Sequence, residues 1–145
     1  MDKIGILLLA HGAPDNVNDI PMYIKNIRGG KEPDPKIVET ITAHYNQIGG
    51  KSPLEPIARG QAAGLQRILN QNKSGCFRVY VGMRNWIPYI DDVVEEAYSD
   101  GIERLIAICL APQYSRFSTE LYMKAFREAV NKIEGDFKKV DFIST

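Results

Sequence analysis

Sulfur and imidazole are scarce in this chain. Two cysteines, Cys76 and Cys109, in 145 residues are too few for a disulfide framework. Cys109 lies inside the apolar run 106–110 and reads as a small buried hydrophobe. There are only two histidines, His11 and His44, so neither has a visible second imidazole beside it as a metal ligand. Charge of one sign is also lacking: 18 basic residues balance 18 acidic ones. No net field draws the chain to nucleic acid or to an anionic membrane. No apolar run approaches the roughly 20 residues of a membrane helix, so no integral membrane segment is expected. Lys3 is followed by one short apolar stretch, residues 4–10, without a cleavage pattern, so the expected compartment is the cytoplasm. Neither Gly29-Gly30 nor Gly49-Gly50 follows a buried strand or has phosphate-loop spacing, so both read as helix terminators. No internal repeat or low-complexity linker interrupts the chain.

What is present suits one soluble globular domain over residues 1–145. The hydrophobic share is 44% and the charged share 25%, both ordinary values, and the length is that of a single domain. Residues 4–9 are continuously apolar, as in a strand buried on both faces of a parallel sheet. Asp15 or Asn16 can cap a helix running to about Ile27. A second helix is expected over 36–47. Ser52-Pro53 with Glu55 has the capping-box pattern of a third helix, reaching about Asn72. Residues 77–83 read as a strand, 89–99 as a helix and 105–110 as another buried strand. Residues 118–133 form an amphipathic helix with Leu121, Phe126, Ala129 and Ile133 inward, and 139–143 a last strand. The order predicts an α/β fold: a mostly parallel sheet of about four strands flanked by helices on both faces, a Rossmann-like three-layer sandwich. A natural domain can stop after the last strand, and the abrupt end also fits a chain cut at a domain boundary.

In such sheets the ligand site lies beyond the carboxyl ends of the strands. Those ends deliver His11-Gly12, then Arg84, Asn85 and Trp86, then Pro112, Gln113, Tyr114 and Ser115. An aromatic-lined cleft with a few polar anchors suits a flat, partly apolar ligand that bears carboxylates. His11 can accept a proton near neutral pH or bind a divalent metal. Its alternative is a backbone hydrogen bond at a strand end. Arg28 is either an ordinary last-turn arginine or a carboxylate anchor, and His44, mid-helix, reads as structural or exposed.

Five ordered segments carry a resemblance: residues 23–30, residues 45–54 with Gln61-Ala62, residues 81–92, Asp100-Gly101, and residues 110–115 with Ser118 and Tyr122. Together they resemble the N-terminal half of the ferrochelatases, the enzymes that insert ferrous iron into a porphyrin in haem biosynthesis. The resemblance implies a two-domain enzyme with a porphyrin cleft between similar α/β halves. It implies that His11 faces the porphyrin and can ligate the metal. It also implies that Arg28, Tyr45, Ser52 and Tyr122 contact the macrocycle or its propionates; Arg84, Asn85, Trp86, Gln113 and Tyr114, placed by the strand ends, are the candidate cleft lining. His44 fills a place often held by arginine, and Asn85 one where some members carry histidine. Ferrous iron is then a substrate, and no tightly bound cofactor is expected. The family's principal catalytic histidine and its glutamate belong to the second half, and this sequence has neither. The expected partner is therefore a C-terminal domain, or a second copy of the chain. This chain alone is expected to be incomplete and inactive. The alternatives are a non-catalytic porphyrin- or haem-binding module and a stand-alone homodimeric chelatase.

Overall fold

The computed structural model describes residues 2–72, 75–111, 115 and 117–144. Four strands, β1 (Ile4–Ala10), β2 (Phe77–Met83), β3 (Arg104–Cys109) and β4 (Lys139–Ile143), form one sheet in the order β2-β1-β3-β4. Every pairing is parallel, with Ile4 opposite both Phe77 and Arg104. Five helices accompany it: α1 (Ile20–Ile27), α2 (Pro35–Gln47), α3 (Leu54–Leu69), α4 (Ile90–Ser99) and α5 (Thr119–Asn131).

The period-two geometry of β1 explains the three layers. Leu7 and Leu9 point to one face and pack with Val93 and Val94 of α4 and Phe126 and Ala129 of α5. Ile6, Leu8 and Ala10 point to the other and meet Ala58 and Ala62 of α3. Both faces of the central strand are thus buried, which is why it is apolar at every position rather than at alternate ones.

Four sequence expectations need correction. The N-terminal helix does not run unbroken from Asn16. Asn16 caps a 3-10 turn, Val17–Asp19, through a bond from the Asn18 backbone N–H, and α1 follows with Pro21 in its first turn. Ser52 is not the N-cap of α3: Pro53 holds that position, and Ser52, one residue earlier, accepts from the Leu54 backbone N–H through its Oγ at 3.2 Å. Glu55 does not reach back either; it pairs with Arg59, so the capping box does not form. The third helix stops at Leu69, short of Asn72. There the Asn70 side chain accepts from the Phe77 N–H at 3.0 Å and donates to the Phe77 carbonyl at 2.8 Å, turning the chain into β2. Finally, Leu121 faces solvent, 41% exposed, and the buried line of α5 is Thr119, Tyr122, Phe126 and Ala129.

Candidate functional site

Three chain segments meet at the carboxyl edge of β1 and β2. The loop after β2 is laid against the end of β1 by backbone hydrogen bonds: Arg84 N–H donates to the Ala10 carbonyl and Asn85 N–H to the His11 carbonyl, each at 3.0 Å. Gly12 makes this approach possible. Its φ is +89°, and a Cβ there would stand 2.9 Å from the Trp86 nitrogen and 3.1 Å from the Met83 Cβ. Only glycine is at ease with both that backbone conformation and that contact.

His11 is the centre of the cluster. Its Nε2 lies 3.0 Å from the Tyr23 hydroxyl, and the Asn85 side-chain Nδ2 packs against the ring, 3.2 Å from Nδ1 and 3.5 Å from Nε2. The Tyr23 ring stands edge-on to both His11 and Trp86, at centroid distances of 6.0 and 6.5 Å. Asn85 is only 3% exposed, and its backbone carbonyl accepts from the Asn26 side chain at 3.1 Å, tying α1 to the loop. The Arg84 guanidinium lies over the Tyr122 ring, 5.7 Å from its centroid. Beside His11 opens a groove of about 350 Å³, lined by Leu54, Ile57 and Gln61 of α3, by Leu110, and by Tyr122.

The electrostatics favour neutral groups. His11 is exposed as a residue, yet its ring meets the Tyr23 hydroxyl and the buried Asn85 side chain. Partial desolvation and then the Arg84 charge hold its pKa below the ordinary 6.5, so the imidazole is neutral at pH 7. Burial, followed by the nearby Tyr45, pushes the Tyr23 phenol up to about 12. Burial, followed by Cys109, pushes Tyr122 up to about 12 as well. Burial also raises Tyr45.

Of the residues singled out from the sequence, the structure brings together His11, Arg84, Asn85, Trp86 and Tyr122, with Tyr45 alongside Tyr23. Arg28 caps the C-terminus of α1 through its backbone, is exposed, and makes no ion pair among the described residues. Ser52 Oγ accepts from the Leu54 N–H at the start of α3. Neither touches His11 among the described contacts. His44 is exposed in the last turn of α2. Gln113 and Tyr114 lie outside the described residues. Tyr23 is the member that sequence reasoning missed as a site residue. It sits one helical turn before Asn26, and that shared polar face on a short helix was the available signal. Among the described residues no cluster of three or more His, Cys, Asp or Glu side chains could hold a metal ion.

Fold and site together define an α/β domain whose ligand groove opens at the carboxyl edge of a parallel sheet, with an imidazole at its lip. A family model described as Ferrochelatase matches residues 3–145. The chain is 41% identical over 134 residues to a coproporphyrin III ferrochelatase of Listeria monocytogenes, covering 92% of this chain and 43% of that protein. It is 40% identical over 141 residues to a ferrochelatase of Deinococcus radiodurans, covering 95% and 44%. With a ferrochelatase of Acidobacterium capsulatum the identity is 44% over 137 residues, covering 94% and 40%. The chain belongs to the ferrochelatase family, and it spans less than half the length of these relatives.

Proposed function

We propose that this chain is the first of two α/β domains of a ferrochelatase and supplies one wall of a porphyrin cleft, in an enzyme that inserts ferrous iron into the macrocycle. The observation that carries this reading is the placement of His11. It is a neutral imidazole at the carboxyl end of β1, opening on a groove lined by Leu54, Ile57, Leu110 and Tyr122. Such a wall offers apolar contact to a flat ring and a nitrogen donor to its centre.

Insertion requires two pyrrole protons to leave while the metal enters. Bending the ring exposes the in-plane nitrogen lone pairs, and binding energy from the rest of the ligand drives the bend. A neutral imidazole can accept one such proton or ligate the incoming ferrous ion, which is a substrate. Arg28, unpaired by any described carboxylate, is available to a propionate through a charge-assisted hydrogen bond. Tyr45, Ser52 and Tyr122 serve as further contacts to the macrocycle. The main proton acceptor comes from outside this chain, in a C-terminal domain or a second copy. The name of the Listeria relative makes coproporphyrin III the first macrocycle to try.

The test measures native mass and zinc insertion into free-base coproporphyrin III on one sample, first with the chain alone and then with the product of the uninterrupted reading frame. The reading predicts turnover only in the longer product, reduced at least tenfold by His11→Ala. An active dimer of this chain alone favours the homodimeric chelatase. Porphyrin binding without insertion by either assembly leaves a binding module and contradicts the reading.

A further inference from the structure

Helix α1 carries Tyr23 into the site, and with 8 residues it is too short to hold its shape alone in water. Its place on the domain is therefore set by tertiary contacts. Its buried side chains are Ile20 and Ile24, while Ile27 at its end is 40% exposed. Apolar contact is not directional, so these two residues do not fix how the last turn is rolled. Asn26 supplies the direction. Its Nδ2 donates to the Asn85 backbone carbonyl at 3.1 Å and to the Tyr89 hydroxyl at 2.9 Å. A carbonyl only accepts, so the amide nitrogen is the atom that must face it, and both amide hydrogens are then used. Both acceptors sit on a segment that the sheet holds. The Asn85 N–H donates to the His11 carbonyl, the Met83 N–H donates to the Pro88 carbonyl, and Tyr89 is the N-cap of α4. The Tyr23 contact with His11 is exposed to solvent, where water competes and the net strength is small. The Asn26 pair is part-buried and is the stronger tie.

We propose that Asn26 is a positioning residue: its two bonds dock the last turn of α1 on the loop after β2 and thereby hold the Tyr23 ring against His11 and Trp86. Asn26 touches neither ring. It acts through the helix, since Tyr23 lies one turn before it, and Tyr23 stands edge-on to both His11 and Trp86. The loop that receives Asn26 is also the loop whose Asn85 N–H anchors the His11 backbone. The phenol and the imidazole are thus placed from one segment, and their separation is set by the Asn26 carboxamide. The bearing on metal insertion rests on the function proposed above. The docking of α1 does not, and it is read without porphyrin or metal.

Two NMR readings on the labelled chain test this: the nuclear Overhauser contacts of the Tyr23 ring with His11 and Trp86, and amide hydrogen exchange along α1. In Asn26→Ala the ring contacts should vanish, and exchange in α1 should rise roughly tenfold or more while amides of β1 and α5 stay within about twofold. Asn26→Asp should behave as Asn26→Ala does, because a carboxylate of the same size cannot donate to a carbonyl. Tyr89→Phe keeps the bond to Asn85 and should give a smaller rise confined to α1. That variant carries the test if neither Asn26 variant folds. Ring contacts and α1 exchange unchanged in Asn26→Ala overturn the proposal. So does a rise shared equally by β1 and α5, which marks a general loss of stability rather than a loosened helix. An Asn26→Asp chain that keeps the original contacts, or a Tyr89→Phe chain with no rise in α1, overturns it too.

Discussion

Tyr23, Asn85 and His11 show how little of a site can be visible in a residue list. His11 was readable as a strand-end imidazole, and Arg84, Asn85 and Trp86 as the neighbouring loop, because parallel sheets deliver such ends to one edge. Tyr23 was not, since an aromatic in an amphipathic helix is core by default and its hydroxyl meets His11 only once α1 is placed. Two phenols with pKa values of about 12 have a consequence for stability. The unfolded chain loses these protons near pH 10 while the folded chain keeps them. Stability therefore falls as pH rises from about 10 toward about 12. Urea midpoints across that window should drop, and Tyr23→Phe should flatten the drop. The His11 shift acts on the other side. Its folded pKa is lowered, so its contribution is intact above about 6.5 and is lost as pH falls toward the folded value.

At the scale of elements, apolar runs located β1 and β3, and alternation with β-branched and aromatic residues located β2, because β1 is buried on both faces while β2 and β4 are edges. Helix ends were harder, since they depend on bonds to distant segments. Asn70 ended α3 early because its carboxamide is used by β2. The same contact protects an exposed edge, as β2 has a neighbour on one side only. Asn70 satisfies Phe77, and Gln66 accepts from the Val79 N–H at 2.8 Å. Side-chain amides thus occupy groups that would otherwise invite another strand. Asn70→Ala should cost about 1–3 kcal/mol by leaving those groups unpaired, seen as a lower urea midpoint at unchanged slope. Leu121 was misplaced by one position. The stripe that packs is Thr119, Tyr122, Phe126 and Ala129, at the three- and four-residue spacing of one helical face, and Tyr122 is both core and groove wall.

The whole molecule is a three-layer α/β domain with its candidate site at the carboxyl edge of the sheet. No described helix is long and apolar enough to cross a membrane, and the family match covers residues 3–145. The fold was legible because strand and helix patterns alternate in the order a parallel sheet demands. The groove beside His11 was legible in part, because the strand ends that deliver His11 and Arg84 can be read from the sequence while the α3 residues that line it cannot. Trp86, the only tryptophan, stands against Tyr23 within the candidate site and serves as a built-in reporter. Titration of the chain with free-base coproporphyrin III, read by Trp86 emission, tests the porphyrin wall most directly. The account predicts saturable quenching that His11→Ala leaves in place. Arg28→Ala should weaken it by about 1.5–3 kcal/mol, or roughly 10- to 150-fold in Kd. Trp86 emission that stays constant through the titration, or an Arg28→Ala chain that binds as tightly as the original, contradicts it.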